Sequence, residues 1–173
     1  MKISRIVGSG LLAIAGWGLG TAAGTAADLA ASEIPGADPL APGGHAATVA
    51  QWGSANSFDA EQAGARQGLV SSQSGAANVA RVLQEGSLNR GILRQDGMSN
   101  DLVLMQQGRA HEAVIGQTGV GNQASVMQAG FANQAQVDQQ GNHNAARIEQ
   151  YGRQGSARIT QHGNGGVSSI VQY

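Results

Sequence analysis

Cysteine is absent from this 173-residue chain, which excludes a disulfide framework and thiolate metal sites. Aromatic residues are nearly absent too, at 3%, and the 41% that is hydrophobic is mostly Ala and Val, so little area is available to bury per residue. With 27 glycines besides, a conventional globular core is not expected, and cohesion must come from elsewhere or the chain stays disordered. Charge is scarce at 12% and nearly balanced at −1, which speaks against nucleic acid or an acidic membrane surface as a partner. Proline occurs three times, at Pro35, Pro39 and Pro42, and nowhere else.

Three segments follow. Lys2 and Arg5 open a basic start, an apolar stretch runs from Ile6 to Leu19, and small residues such as Ala23 and Ala27 come next. That order is the pattern of an export signal over 1–27, and its apolar part is shorter than the roughly 20 residues a membrane span needs. A retained anchor is the alternative. Residues 28–50 hold all the prolines and no apolar period, and read as a flexible leader.

From Gln51 to the end one pattern recurs every 11 residues without insertion or deletion. Gln stands at 51, 62, 73, 84, 95, 106, 117, 128, 139, 150, 161 and 172, and the first eleven are each followed two places later by Gly. The columns of interest are Gln73, Gln84, Gln95, Gln106, Gln117, Gln128, Gln139, Gln150, Gln161 and Gln172, with Gly75, Gly86, Gly97, Gly108, Gly119, Gly130, Gly141, Gly152 and Gly163 assigned to turns. Five places after Gln comes Asn56, Asn78, Asn89, Asn100, Asn122, Asn133 or Asn144, with Gln67, His111, Gly155 and Gly166 in the other slots. Ala is usual at the seventh place. A branched aliphatic stands at the ninth as Val82, Leu93, Leu104, Ile115, Val126, Val137, Ile148, Ile159 and Ile170.

These places share one parity, so on a strand the Asn, Ala, aliphatic and next Gln face one way, toward an interior. Arg and acidic residues take the opposite parity, as at Arg81, Arg94 and Glu149. A right-handed helical coil also has an 11-residue period, but apolar residues two apart and a Gly in each window favour strands. The expectation is an all-β solenoid of strand–turn units over 51–173, with strands of about six residues, two units per coil and two facing parallel sheets. Residues 22 apart then stack, and buried amides bond to their equivalents above and below. An antiparallel meander remains open on parity alone. The first two windows are weak, with Ala60 and Ser71 in the aliphatic slot, whereas the last windows keep the pattern and should leave a face that recruits another layer.

The motif Gln-x-Gly-x-x-Asn-x-Ala-x-x-x-Gln, complete in windows beginning at Gln73, Gln117, Gln128 and Gln139, resembles the curlin repeat of bacterial curli fibres. An export signal and a leader ahead of the repeats are likewise similar to curlin precursors. The resemblance implies a structural subunit of extracellular amyloid fibres in biofilm matrix and adhesion, exported through the periplasm. Its partners would be itself, a sister curlin subunit and outer-membrane secretion and assembly proteins. Gln-x-Gly in every window, and the stretches QEGSLNR and QYGRQGSARITQ, resemble the minor, nucleating subunit; the terminal Gln172-Tyr173 is more like the major one.

No enzyme, cofactor, metal site, nucleic-acid partner or small-molecule substrate is expected. His45 lies in the leader, His111 in an Asn slot, and His143 and His162 in turns, at spacings that fit no metal. Ser71, Ser72 and Ser74 lack a nucleophile setting, and the Gly-rich turns open no phosphate-binding helix. A calcium β-roll needs Asp in each turn, and Asp96 alone is near such a place. A monomeric solenoid binding a polysaccharide or other flat ligand is the rival reading, and it requires a regular outer row of Thr or aromatic residues that is not present.

Overall fold

The computed structural model describes the backbone of residues 2–9, 13–14 and 44–173, and the side chains of 44–173. Among the described residues every element is a strand. In order these are β1 (Lys2–Ser9), β2 (Ala13–Ile14), β3 (Ala46–Ser54), β4 (Ser57–Ala65), β5 (Gly68–Ala76), β6 (Val79–Ser87) and β7 (Arg90–Met98). Then follow β8 (Asp101–Arg109), β9 (Glu112–Val120), β10 (Gln123–Phe131), β11 (Gln134–Asn142), β12 (Ala145–Arg153), β13 (Ser156–His162) and β14 (Val167–Gln172).

From β3 onward alternate strands fall into two sheets, β4-β6-β8-β10-β12-β14 and β3-β5-β7-β9-β11-β13, and each pairs in parallel with the strand two places on. Gln106 pairs with Gln128, and Gln128 with Gln150, so like residues 22 apart stand in register. The chain is therefore a β-solenoid of two-strand coils, and the meander is excluded because no pair between β3 and β14 is antiparallel. β1 runs antiparallel along the outer edge of β4, from Lys2 opposite Gly64 to Ser9 opposite Ser57, and β2 does the same on β3. The expected export signal (1–27) is described at these two stretches alone. The expected leader (28–50) lies outside the described residues up to 43, and β3 begins inside it at Ala46.

Most strands run nine residues rather than about six, because the ladder continues through the glycine and one residue beyond it. The turn is then two residues, and its first member adopts the left-handed conformation even where it is not Gly: Leu88 (φ 60°), Ala110 (φ 60°), Ala132 (φ 56°) and His143 (φ 56°). Each such residue carries strain of about 1 kcal/mol. Interlayer hydrogen bonds hold them there, as Ala110 N–H to Ser87 O at 2.9 Å and Ala132 N–H to Arg109 O at 2.9 Å. The turns therefore stack as the strands do.

The interior is a thin layer between the sheets. The aliphatic column is buried from Val82 to Ile159, and Ile170 packs half-buried against its end. Each buried Val, Leu or Ile contributes about 1.5–3 kcal/mol, so a chain poor in large side chains concentrates what it has in one seam. Some layers depart from Ala at the seventh place. Leu69 and Leu102 stand there, and Gly91, stacked on Leu69, leaves the space that the Leu69 and Leu104 methyls fill.

Candidate functional site

Two columns of Gln run the length of the solenoid, facing inward from the sixth residue of most strands. In one sheet the Nε2 of Gln62, Gln84, Gln106, Gln128 and Gln150 donates to the Oε1 of the Gln 22 residues on, at 2.7–2.9 Å. In the other the series Gln73, Gln95, Gln117, Gln139 and Gln161 is linked in the same sense at 2.7–3.0 Å. The second amide proton usually goes to the carbonyl 16 residues earlier, as Gln128 Nε2 to Glu112 O at 3.1 Å. Gln73 through Gln150 are fully buried. Each interior Gln is thus satisfied by the layer before and the layer after, which is what makes its burial tolerable.

Among the described residues the like-to-like ladder expected of Asn is made only at Asn56, Asn78 and Asn100, where the later Nδ2 donates to the earlier Oδ1 at 3.1 and 3.0 Å; the recurring partners of Asn are backbone groups. Asn122 Nδ2 donates to Thr118 O at 3.2 Å in its own layer and to Gly141 O at 2.8 Å in the next. Its Oδ1 accepts the backbone N–H of Asn144 at 3.0 Å. The same set recurs at Asn78, Asn89 and Asn100, and Asn133 and Asn144 keep two of its three bonds. Asn therefore bridges side chain to backbone across layers, and one methylene more spoils the fit. Gln67, in an Asn slot, keeps its donors to Ala63 O and Gly86 O, while its buried Oε1 has no partner.

The glycine column completes this bridge. Gly75, Gly86, Gly97, Gly108, Gly119, Gly130, Gly141, Gly152 and Gly163 have φ between +97° and +125°; the first eight lie in the strands just ahead of the two-residue turn, and Gly163 lies within the longer connection between β13 and β14. At Gly108 a Cβ would come within 2.1 Å of the Gly130 carbonyl oxygen. No side chain fits there, because the layers approach so that the glycine carbonyl reaches the Asn amide below.

His111 occupies an Asn slot and is fully buried. Its Nε2 lies 3.0 Å from Gln107 O, and its Nδ1 accepts the Asn133 N–H at 3.2 Å. Burial lowers its pKa from the usual value, partly offset by hydrogen bonds to the Gln107 and Gly130 carbonyls. His45 stands 22 residues before Gln67 in the same column, and both its ring nitrogens are buried without a partner.

At the last described coil the Gln161 and Gln172 amides donate to Ala145 O, Ser168 Oγ and Ser156 O. Gly155 and Gly166 close the Asn columns by donating their N–H groups to Asn133 and Asn144. Val167 and Tyr173 are exposed there, with Tyr173 stacked on Tyr151 at a ring separation of 5.6 Å. The outer faces are mixed: along one column Thr48, Val70, Ile92, Val114, Gln136 and Arg158 follow one another. Among the described residues no group of His, Asp and Glu could hold a metal ion, and no helix is long and apolar enough to cross a membrane.

The chemistry this arrangement can perform is recognition of one layer by another of the same pattern. None of the curated proteins and none of the solved structures matches the chain. Among known families, the curlin associated repeat matches residues 97–130 and again 130–163, so that over the coils from β8 to β13 the chain is similar to the curlins, a likeness that points to a structural subunit.

Proposed function

We propose that this chain is a subunit of extracellular curli-type amyloid fibres, with nucleation of polymerisation at the cell surface as its role. The observation that carries the reading is the pair of buried Gln columns, whose amides are satisfied by the layers before and after them. A strand laid on an open sheet edge gains the backbone ladder and the Gln link together, and the Asn bridge as well where the earlier layer holds Asn in its slot. Gln-x-Gly in all eleven windows supports nucleation, because both sheets carry the same columns and can template a sister subunit equally. In this reading the N-terminal segment directs export, and outer-membrane assembly proteins receive the chain.

The decisive measurement adds a trace of this protein to a purified sister subunit and times the lag before polymerisation. A shortened lag is expected; an unchanged lag removes the nucleating role. Fibres with a 4.7 Å reflection are expected from the processed chain, and a chain that stayed monomeric and disordered at high concentration would overturn the fibre reading itself. The bulk-subunit reading has two observations in its favour: Gln172 accepts from Gln150 at 2.9 Å, and Tyr173 stacks on Tyr151. It predicts fibres without seeding of a sister subunit.

A further inference from the structure

Seven of the eleven windows hold Asn in one bonding slot, and His111 is where a titratable ring has been set into it. An Asn in this slot donates to the carbonyl four residues before, donates to the glycine carbonyl of the next layer, and accepts the next layer's N–H. His111 reproduces that scheme with its ring. Its N–H at Nε2 faces Gln107 O at 3.0 Å, with Gly130 O as the second acceptor, in place of the Asn amide. Its Nδ1 lone pair takes the Asn133 N–H at 3.2 Å in place of the Asn oxygen. Two carbonyls around Nε2 and a donor at Nδ1 select the neutral ring with its proton on Nε2.

We propose that His111 is an acid-labile joint in the solenoid, whose protonation at Nδ1 sets N–H against the Asn133 N–H and opens the contact between neighbouring turns. The layers concerned are joined at 110–111 and 132–133, and the Gln columns on either side of this contact carry no titratable group. Nothing nearby compensates a positive ring. On its own strands the charged neighbours are Arg109, exposed, and Glu112, paired with Arg90 of β7 at 3.9 Å. From β6 comes Glu85, exposed and bonded to Gln107 Nε2, and the turn between β10 and β11 presents Phe131, Ala132, Asn133 and Gln134, none charged.

The sign follows from the geometry and from the direction of the pKa. The folded ring holds its proton less readily than the unfolded one, so the contribution of this joint is complete above the unfolded value of about 6.5 and is lost as pH falls below it, until the lowered folded value is reached. Within that window the ratio of closed to open joint falls by up to about tenfold per pH unit.

Hydrogen exchange on the full chain between pH 7.5 and 5 tests this, read as the protection of the Asn133 amide relative to the Asn122 amide. The latter has the same kind of partner, Asn100 Oδ1 at 3.0 Å, and no histidine in its column. The expected result is a relative protection at Asn133 that falls severalfold as acid is added, is constant with pH in His111→Asn, and is unaltered in His143→Asn. A ratio independent of pH in the parent chain, or one that falls equally in His111→Asn, would overturn the proposal. Because the measurement reads one joint rather than fibre formation, it stands or falls separately from the proposed function.

Discussion

Replacing Gln128 by Leu tests how much of this fold rests on its amide columns. Leu keeps the volume and the apolar stem, so little cavity is made. Three hydrogen bonds disappear: Gln106 Nε2 to Gln128 Oε1 and Gln128 Nε2 to Gln150 Oε1, both at 2.9 Å, and Gln128 Nε2 to Glu112 O at 3.1 Å. The groups left behind are a Gln106 N–H, the Gln150 Oε1 and the half-exposed Glu112 carbonyl. At about 1–3 kcal/mol for each buried polar group left without a partner, and with the Glu112 carbonyl counting least, the loss is about 3–5 kcal/mol. That is a large share of the 5–15 kcal/mol by which domains are typically stable, and in guanidinium the midpoint should fall by about 1 M. Gln172→Leu is the matched control, since its site is partly open to water, which can replace the lost partners. Its expected loss is below about 1 kcal/mol. Equal midpoint shifts for the two variants, in denaturant melts of the same chain, would refute the column argument.

Further substitutions probe the rest of the scheme. Gly108→Ala should destabilise by about 3 kcal/mol or more, since its Cβ would meet a backbone carbonyl at a φ of +125°. Gly116→Ala, with open space around it, should gain about 0.4–1 kcal/mol; thermal melts that ranked the two alike would argue against the close approach of layers. Ser71→Val should stabilise by about 1–2 kcal/mol, because Ser71 is buried with an unpartnered hydroxyl between Val49 and Leu93 in an aliphatic column. Arg81→Gln removes an exposed ion pair with Asp101 at 3.3 Å, and the melting midpoint should stay within the equivalent of about 0.5 kcal/mol.

The period, the inward parity and the stacking of residues 22 apart were legible in the sequence because all three depend on spacing alone. What spacing does not carry is the partner of each bond. Gln and Asn look interchangeable as amides, yet the longer Gln reaches its like in every layer while the shorter Asn reaches chiefly backbone and meets its like only at Asn56, Asn78 and Asn100 among the described residues. The failure at Gln67, whose Oε1 is orphaned, follows from that difference in length. The turn was assigned to the glycine and its neighbours because Gly is a usual turn residue. Here Leu88 and His143 hold the left-handed conformation under interlayer hydrogen bonds, a tertiary constraint invisible to local propensity. The exchange of volume among Leu69, Gly91 and Leu104 was equally hidden, since it joins residues that meet only after the coil has closed.

The Gln links all point one way, each amide proton toward the later residue. Such a one-way file behaves as an aligned row of dipoles in which every bond polarises the next, so a long stack holds its amides more tightly than a short one. Its two extremities are chemically unlike, one offering oxygen and the other hydrogen. Two stacks approaching with the same extremity forward would set like against like, whereas opposite extremities continue the file without a break.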